Sequence, residues 1–164
     1  MRRVLLVPVL ALVVLAPSGV QAAEGDLLVC DAPPEGTDVL MPGETISLEP
    51  AAPQYDAQFY TYTDVTFQLD LYPATASDTA TVTSTLSWEL DLNNWDLILL
   101  DGEGNELAAS ELFQAGPLGD APTESISRKL KHCSLFTVSI ENEQGVALDE
   151  LDPLQLQTGS GSVL

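Results

Sequence analysis

Thr81-Val82-Thr83-Ser84-Thr85-Leu86-Ser87-Trp88-Glu89-Leu90-Asp91-Leu92 is the stretch whose reading decides the fold class. Val82, Leu86, Trp88, Leu90 and Leu92 share one side of an extended chain. Thr81, Thr83, Thr85, Ser87, Glu89 and Asp91 share the other. Apolar and polar residues alternating with period two mark a strand with one face buried. Thr and Ser at the polar positions suit strands better than helices.

The same alternation recurs to either side. Val65, Phe67, Leu69 and Leu71 interleave with Thr66, Gln68, Asp70 and Tyr72. Phe136, Val138 and Ile140 interleave with Thr137 and Ser139, and Leu154 and Leu156 with Gln155 and Gln157. Trp95 to Leu100 is apolar on both faces apart from Asp96, the pattern of a strand inside a sheet. Asp101-Gly102-Glu103-Gly104-Asn105 joins it to Glu106 to Ala109 with hairpin chemistry. Gly116 to Pro122 reads as a surface loop and Glu141 to Gly145 as a turn. Seven to nine short strands at this spacing predict an all-β fold, a two-sheet antiparallel β-sandwich.

Residues 23–57 are rich in Pro, Gly and acids and are expected to form an N-terminal arm with one or two short strands, at Asp38 to Met41 and Thr45 to Leu48. The sandwich body is expected over 58–159. Thr158-Gly159-Ser160-Gly161-Ser162 reads as flexible, with 160–164 as the tail.

The first 22 residues read as an export signal. Arg2 and Arg3 precede the apolar run Val4 to Leu15, Pro17-Ser18-Gly19 breaks it, and Val20-Gln21-Ala22 offers small residues to a signal peptidase. About 12 apolar residues fall short of the roughly 20 that span a bilayer. Cleavage after Ala22 leaves 164 − 22 = 142 residues, on which Arg128, Lys129 and Lys131 face all 25 acids, a net of 3 − 25 = −22. Such a charge repels nucleic acid and anionic lipid. The expected location is extracellular, with no membrane contact after cleavage and no nucleic-acid partner.

Cys30 and Cys133 are the two cysteines, and an even pair in an exported chain is expected to form a disulfide. A catalytic thiol would need an imidazole. The one histidine, His132, adjoins Cys133, and neighbours on an extended chain point to opposite faces.

Several segments resemble the bacterial pre-peptidase C-terminal domain family. Asp56-Ala57-Gln58-Phe59-Tyr60-Thr61-Tyr62 is similar to its "D-x-D-x-Y-x-F" strand. Leu86-Ser87-Trp88 followed by Trp95-Asp96-Leu97 through Ala108-Ala109-Ser110 is similar to its "D-L-x-L-x-D-x-x-G-x-x-x-A-x-S" hairpin. Glu124-Ser125-Ile126-Ser127 matches its following "E-x-I" strand, and Leu135 to Ile140 its penultimate "Y-x-V-x-V" strand. The likeness spans roughly residues 44–159. His132-Cys133-Ser134 replaces the family's "G-x-Y", and Asp64 to Thr79 is longer than in the family. The resemblance implies a jelly-roll-like sandwich without catalytic residues. In that family the domain usually trails a secreted peptidase, and some relatives bind calcium or fibrous proteins.

No catalytic residue is assigned. A Ser-His-Asp arrangement needs a positioned imidazole, and His132 sits beside the expected bridge. One His and two paired Cys leave no zinc ligand set. Asp101, Glu103 and Asn105 place three oxygen-bearing side chains at alternate positions of a glycine-loosened turn, a candidate calcium site. No cofactor is required. Trp95, after Asn93-Asn94, is a candidate exposed aromatic for ligand binding, whereas Trp88 falls on the core face with Glu89 outside. The basic cluster Arg128 to Lys131 is expected to pair with nearby carboxylates or to blunt a sheet edge. A docking patch for an anionic partner is the competing reading. Two functions follow: a non-catalytic binding or accessory module for an extracellular protein or glycan, or a small carboxylate-dependent hydrolase.

Overall fold

A computed structural model describes residues 26–51, 62–89, 95–110, 123–142 and 153–162. The export segment, most of the Asp56 to Tyr62 motif, Leu90 to Leu92, the Gly116 to Pro122 loop and the end of the Glu141 to Gly145 turn lie outside them. Among the described residues there are nine strands and no helix: β1 Asp38–Leu40, β2 Thr45–Leu48, β3 Tyr62–Leu69, β4 Thr79–Ser87, β5 Trp95–Asp101, β6 Glu106–Ser110, β7 Thr123–Lys131, β8 Leu135–Asn142 and β9 Gln155–Ser160.

They form a five-stranded sheet, β1-β3-β8-β5-β6, and a four-stranded sheet, β2-β9-β4-β7. The pairing is nested. β5 pairs with β6, β4 with β7, β3 with β8 and β2 with β9, all antiparallel. Successive nested pairs alternate between the sheets, which is one long hairpin rolled into a jelly roll. β1 departs from the antiparallel expectation. It lies parallel to β3, Asp38 opposite Phe67 and Leu40 opposite Leu69. Its Leu40 is fully buried, so apolar burial holds a three-residue strand on that edge.

The inward sides of the alternating strands meet between the sheets. Phe67 and Phe136, opposite each other on β3 and β8, stack with ring centroids 5.3 Å apart. Leu97, Leu99, Val138 and Ile140 extend that layer, and Val82, Leu86, Ile126, Leu130 and Leu156 face it from the second sheet. Trp88 is buried and Glu89 exposed, as their phase requires.

Two expectations need correction. β9 runs through Ser160, so Thr158 to Ser160 are strand and not tail. Thr158 continues the inward phase of Leu154 and Leu156, and is fully buried with its hydroxyl 3.0 Å from that of Ser84. The Ser160 hydroxyl donates to Met41 O, and Gly43 N–H donates to Ser160 O, clamping the turn between β1 and β2. Trp95 is the second correction. It shares the inward phase of Leu97 and Leu99 and is fully buried, so it is a core residue with no face for a ligand.

Candidate functional site

His132, Cys133 and Ser134 form the turn by which the chain leaves β7 in one sheet and enters β8 in the other. The turn is fixed by backbone bonds: His132 N–H to Asp78 O, Cys133 N–H to Leu69 O and Ser134 N–H to Lys131 O. Cys133 takes φ 63°, a left-handed conformation uncommon for a residue with a Cβ. Its sulfur is bonded to Cys30, with the Cα atoms 5.2 Å apart.

The buried His132 ring lies against the Cys30 sulfur, 3.6 Å from Nδ1. Leu71 N–H donates to Nδ1 at 3.1 Å, so that nitrogen carries the lone pair. Nε2 then holds the proton and donates it to Leu28 O at 2.9 Å. Both nitrogens thus bind backbone, and the imidazole ties the arm at Leu28 to the chain after β3. Cys30, His132 and Cys133 are the one group of His, Cys, Asp or Glu among the described residues whose ligand atoms gather within 4.8 Å. Two of the three are spent in the bridge, which leaves no thiolates for a metal.

Asp101, Glu103 and Asn105 come together in the β5–β6 turn. Gly104 closes it at φ 84°, a conformation that glycine adopts without strain. Asp101 Oδ1 accepts from Glu103 N–H at 2.9 Å and Asn105 N–H at 2.8 Å, and the Asn105 Nδ2 amide donates to Oδ2 at 3.0 Å. The Asn105 side chain first, then its backbone N–H, hold the Asp101 carboxyl below the usual carboxylate range, with smaller help from the Glu103 and Gly104 N–H groups. Asn105 Nδ2 also reaches Glu103 Oε2 at 3.4 Å. The turn closes on its own donors, and Asn105 presents nitrogen where calcium needs oxygen. In this arrangement the three side chains are bonded to one another.

The same turn forms one wall of an open groove of about 540 Å³ on the outer face of the five-stranded sheet. The opposite wall is the turn Pro34-Glu35-Gly36-Thr37, closed by Thr37 N–H to Pro34 O. Asp64 and Thr66 of β3, Thr137 of β8 and Leu100 of β5 make the floor. Thr66 and Thr137 are opposite in register with hydroxyls 3.1 Å apart, and Asp64 accepts the Ser139 hydroxyl. Four carboxylates therefore border the groove, from Glu35, Asp64, Asp101 and Glu103. Sequence reasoning reached Asp101 and Glu103 and missed the rest, because the groove joins three strands and two turns distant in the chain. The available signal was the outward phase of Thr66 and Thr137.

Arg128, Lys129 and Lys131 are exposed on β7, which ends its sheet. The edge position suits the edge-blunting reading. The expected pairing with neighbouring carboxylates is not seen for them among the described residues; Asp70 Oδ1 lies 3.9 Å from His132 Nδ1, which carries the lone pair and so forms no ion pair with it.

No family model matches the chain, and no curated protein matches it. Among solved structures it is similar to the pre-peptidase C-terminal domain of a collagenase from Bacillus anthracis, with 12% identity, 82% of this chain and 100% of that chain covered, and a TM-score of 0.42. It is also similar to CBM35 from Cellvibrio japonicus Abf62, at 14% identity, 74% and 96% coverage and a TM-score of 0.40. A β-1,3-glucan-binding CBM6 from Bacillus halodurans stands at 11% identity, 76% and 100% coverage and a TM-score of 0.40.

Proposed function

We propose that this chain is a secreted, non-catalytic binding or accessory module that recognises an extracellular protein or glycan through the groove between the Pro34 to Thr37 and Asp101 to Gly104 turns. The observation that carries the reading is the groove itself, an open trough of hydroxyls, carboxylates and apolar side chains on a sheet floor. Preformed concave surfaces with a few oriented polar groups are where ligands bind. Secretion is supported by the Arg2-Arg3 start with its apolar run, and by a disulfide of the kind that persists in oxidising compartments. A non-catalytic role is supported by His132, whose nitrogens are both engaged with backbone.

The groove carboxylates are what the alternative, a small carboxylate-dependent hydrolase, would use. Glycoside hydrolysis needs one carboxyl held protonated as the acid. Asp101 is pushed the opposite way by its donors. The test is a glycan array and an extracellular-matrix protein panel probed with the mature chain, repeated with an Asp64→Asn, Glu103→Gln variant. Binding that weakens at least tenfold in the variant, with no new reducing ends or peptides released, is the expected result. Undiminished binding in the variant refutes the groove, and product release moves the assignment to the hydrolase.

A further inference from the structure

The acids of this chain are distributed unevenly over the two faces of the sandwich. Asp64 on β3 and Glu141 on β8 occupy outward positions, and Asp96 on β5 shares their phase but is buried. On the four-stranded sheet, the outward positions of β2, β4, β7 and β9 are occupied by Thr, Ser, Gln and Gly, with Lys129 and Lys131 on β7, and by no Asp or Glu at all. Lys131 lies opposite Thr79 and Lys129 opposite Thr81. The next rows run Ser127, Thr83, Gly159, Thr45 and Ser125, Thr85, Gln157, Ser47. Hydroxyls meet across the strands, Thr83 to Ser127 at 2.7 Å and Thr85 to Ser125 at 3.1 Å. Acids come only past the strand ends, Glu49 and Glu89 at the end away from the lysines and Glu44 and Asp78 at the lysine end. Edge protection accounts for lysines on β7. It does not account for the lack of acids on β4 and β9, which are interior strands.

The structure assigns this face to an acidic polysaccharide, a hydroxylated polymer carrying carboxylates or sulfate esters. Lys129 and Lys131, with Arg128 at the rim, are the only Lys and Arg residues after Arg3, and among the described residues no outward position of this sheet sets a carboxylate between them, Asp78 lying past the strand end beside Lys131. The acids of the far face act on this one largely around the molecule through solvent, where the screening length of about 8 Å at physiological salt damps their repulsion at contact range. Next to the lysine rows a shallow recess of about 310 Å³ opens where Gly159 lacks a side chain, lined by Thr45, Thr83, Thr85 and Gln157. The outward positions hold no aromatic or aliphatic side chain to anchor a protein partner. A grid of hydroxyls and amides is matched instead by a sugar polymer. This surface is separate from the groove, on the opposite sheet.

The test uses the mature chain with polygalacturonate, dextran sulfate, neutral dextran and poly-glutamate as probes. At physiological salt the two anionic polysaccharides should bind, or one in preference, which then identifies the anion. Neutral dextran should not bind, and poly-glutamate should bind at least tenfold more weakly. The K129Q/K131Q variant should lose at least tenfold in affinity at unchanged melting temperature. Its slope of log affinity against log salt should fall by about 1.5, two counterion-releasing contacts having been removed. The Asp64→Asn, Glu103→Gln groove variant should bind the polymers as before, so failure of the groove and failure of this face are told apart. Equal binding by K129Q/K131Q, retention of neither anionic polysaccharide, or poly-glutamate binding as tightly as the polysaccharides would each overturn the assignment.

Discussion

Replacing Cys30 and Cys133 together by serine opens a loop whose ends are 103 residues apart. In the chain-entropy model, closing a loop of that length restricts the unfolded chain by about 4.7 kcal/mol at 25 °C. Two features of the native state reduce the expected loss. The arm keeps its other ties without the bridge: Leu28 N–H to Ala74 O at 2.9 Å, the His132 bond to Leu28 O and the Gln68 amide to Asp31 O at 3.1 Å. The turn at residue 133, freed from the bridge, can also leave its left-handed φ. The measured loss should therefore fall between about 2 and 5 kcal/mol. At about 2.1 cal/mol/K per residue, 164 − 22 = 142 residues give an unfolding entropy near 0.3 kcal/mol/K. The upper figure then corresponds to a drop of roughly 17 °C in melting temperature. Urea unfolding of the mature double variant is the assay, and its m-value should rise because the opened unfolded chain exposes more surface. A loss under about 1 kcal/mol at unchanged m, or two free thiols titrating in the native secreted protein, would refute the reasoning.

The Trp95→Ala variant should lose about 3–5 kcal/mol of stability, as large core truncations do, and equal stability to the parent would return Trp95 to the surface. At Gly159 an added Cβ would come within 2.9 Å of Thr45 Oγ1 and 3.3 Å of Glu44 O, so Gly159→Ala should force β2 from β9 and cost about 1–3 kcal/mol in thermal unfolding. No loss would show that β2 yields freely. Asp101 has its folded pKa lowered below 3.8, so its contribution is present above that pH and disappears as pH falls through the folded value. Asp101→Ala should flatten the acid limb of a melting-temperature profile below pH 4, and a profile parallel to the parent would contradict the donor set. Millimolar calcium should leave the melting temperature unchanged, and a rise that Asp101→Ala abolishes would restore the ion to the turn.

The strands were legible because each carries its own alternation, and a sheet buries one side of every strand whatever its neighbours. Their partners were not legible: Thr66 meets Thr137, and Thr45 meets Gly159, only through pairing across most of the chain. Composition misled at Thr158-Gly159-Ser160, where glycine and serine suggest a linker. There glycine serves a close approach to β2, and the phase set by Leu154 and Leu156 continues into Thr158. Trp95 was misplaced by weighing Asn93-Asn94 ahead of it over its parity with Leu97 and Leu99. The turn at Asp101 was read correctly as a hairpin. Its acid and amide spacing served equally for a metal or for self-capping, and only the direction of the Asn105 amide separates the two.

The nested pairing also sets an order of assembly. β5 and β6 need close only the short turn from Leu100 to Glu106, whereas β2 must wait for β9, with Thr45 meeting Gly159. Each inner pair, once zipped, shortens the free loop the next must close, so structure should grow outward from the β5–β6 hairpin. Topologies dominated by such distant contacts fold slowly, on the order of milliseconds to seconds. During synthesis β9 is delivered after the other eight described strands, and it is the one that sits between β2 and β4. Until it arrives both of those strands present open edges, so the sandwich is most exposed to misassembly while β9 alone is missing from it.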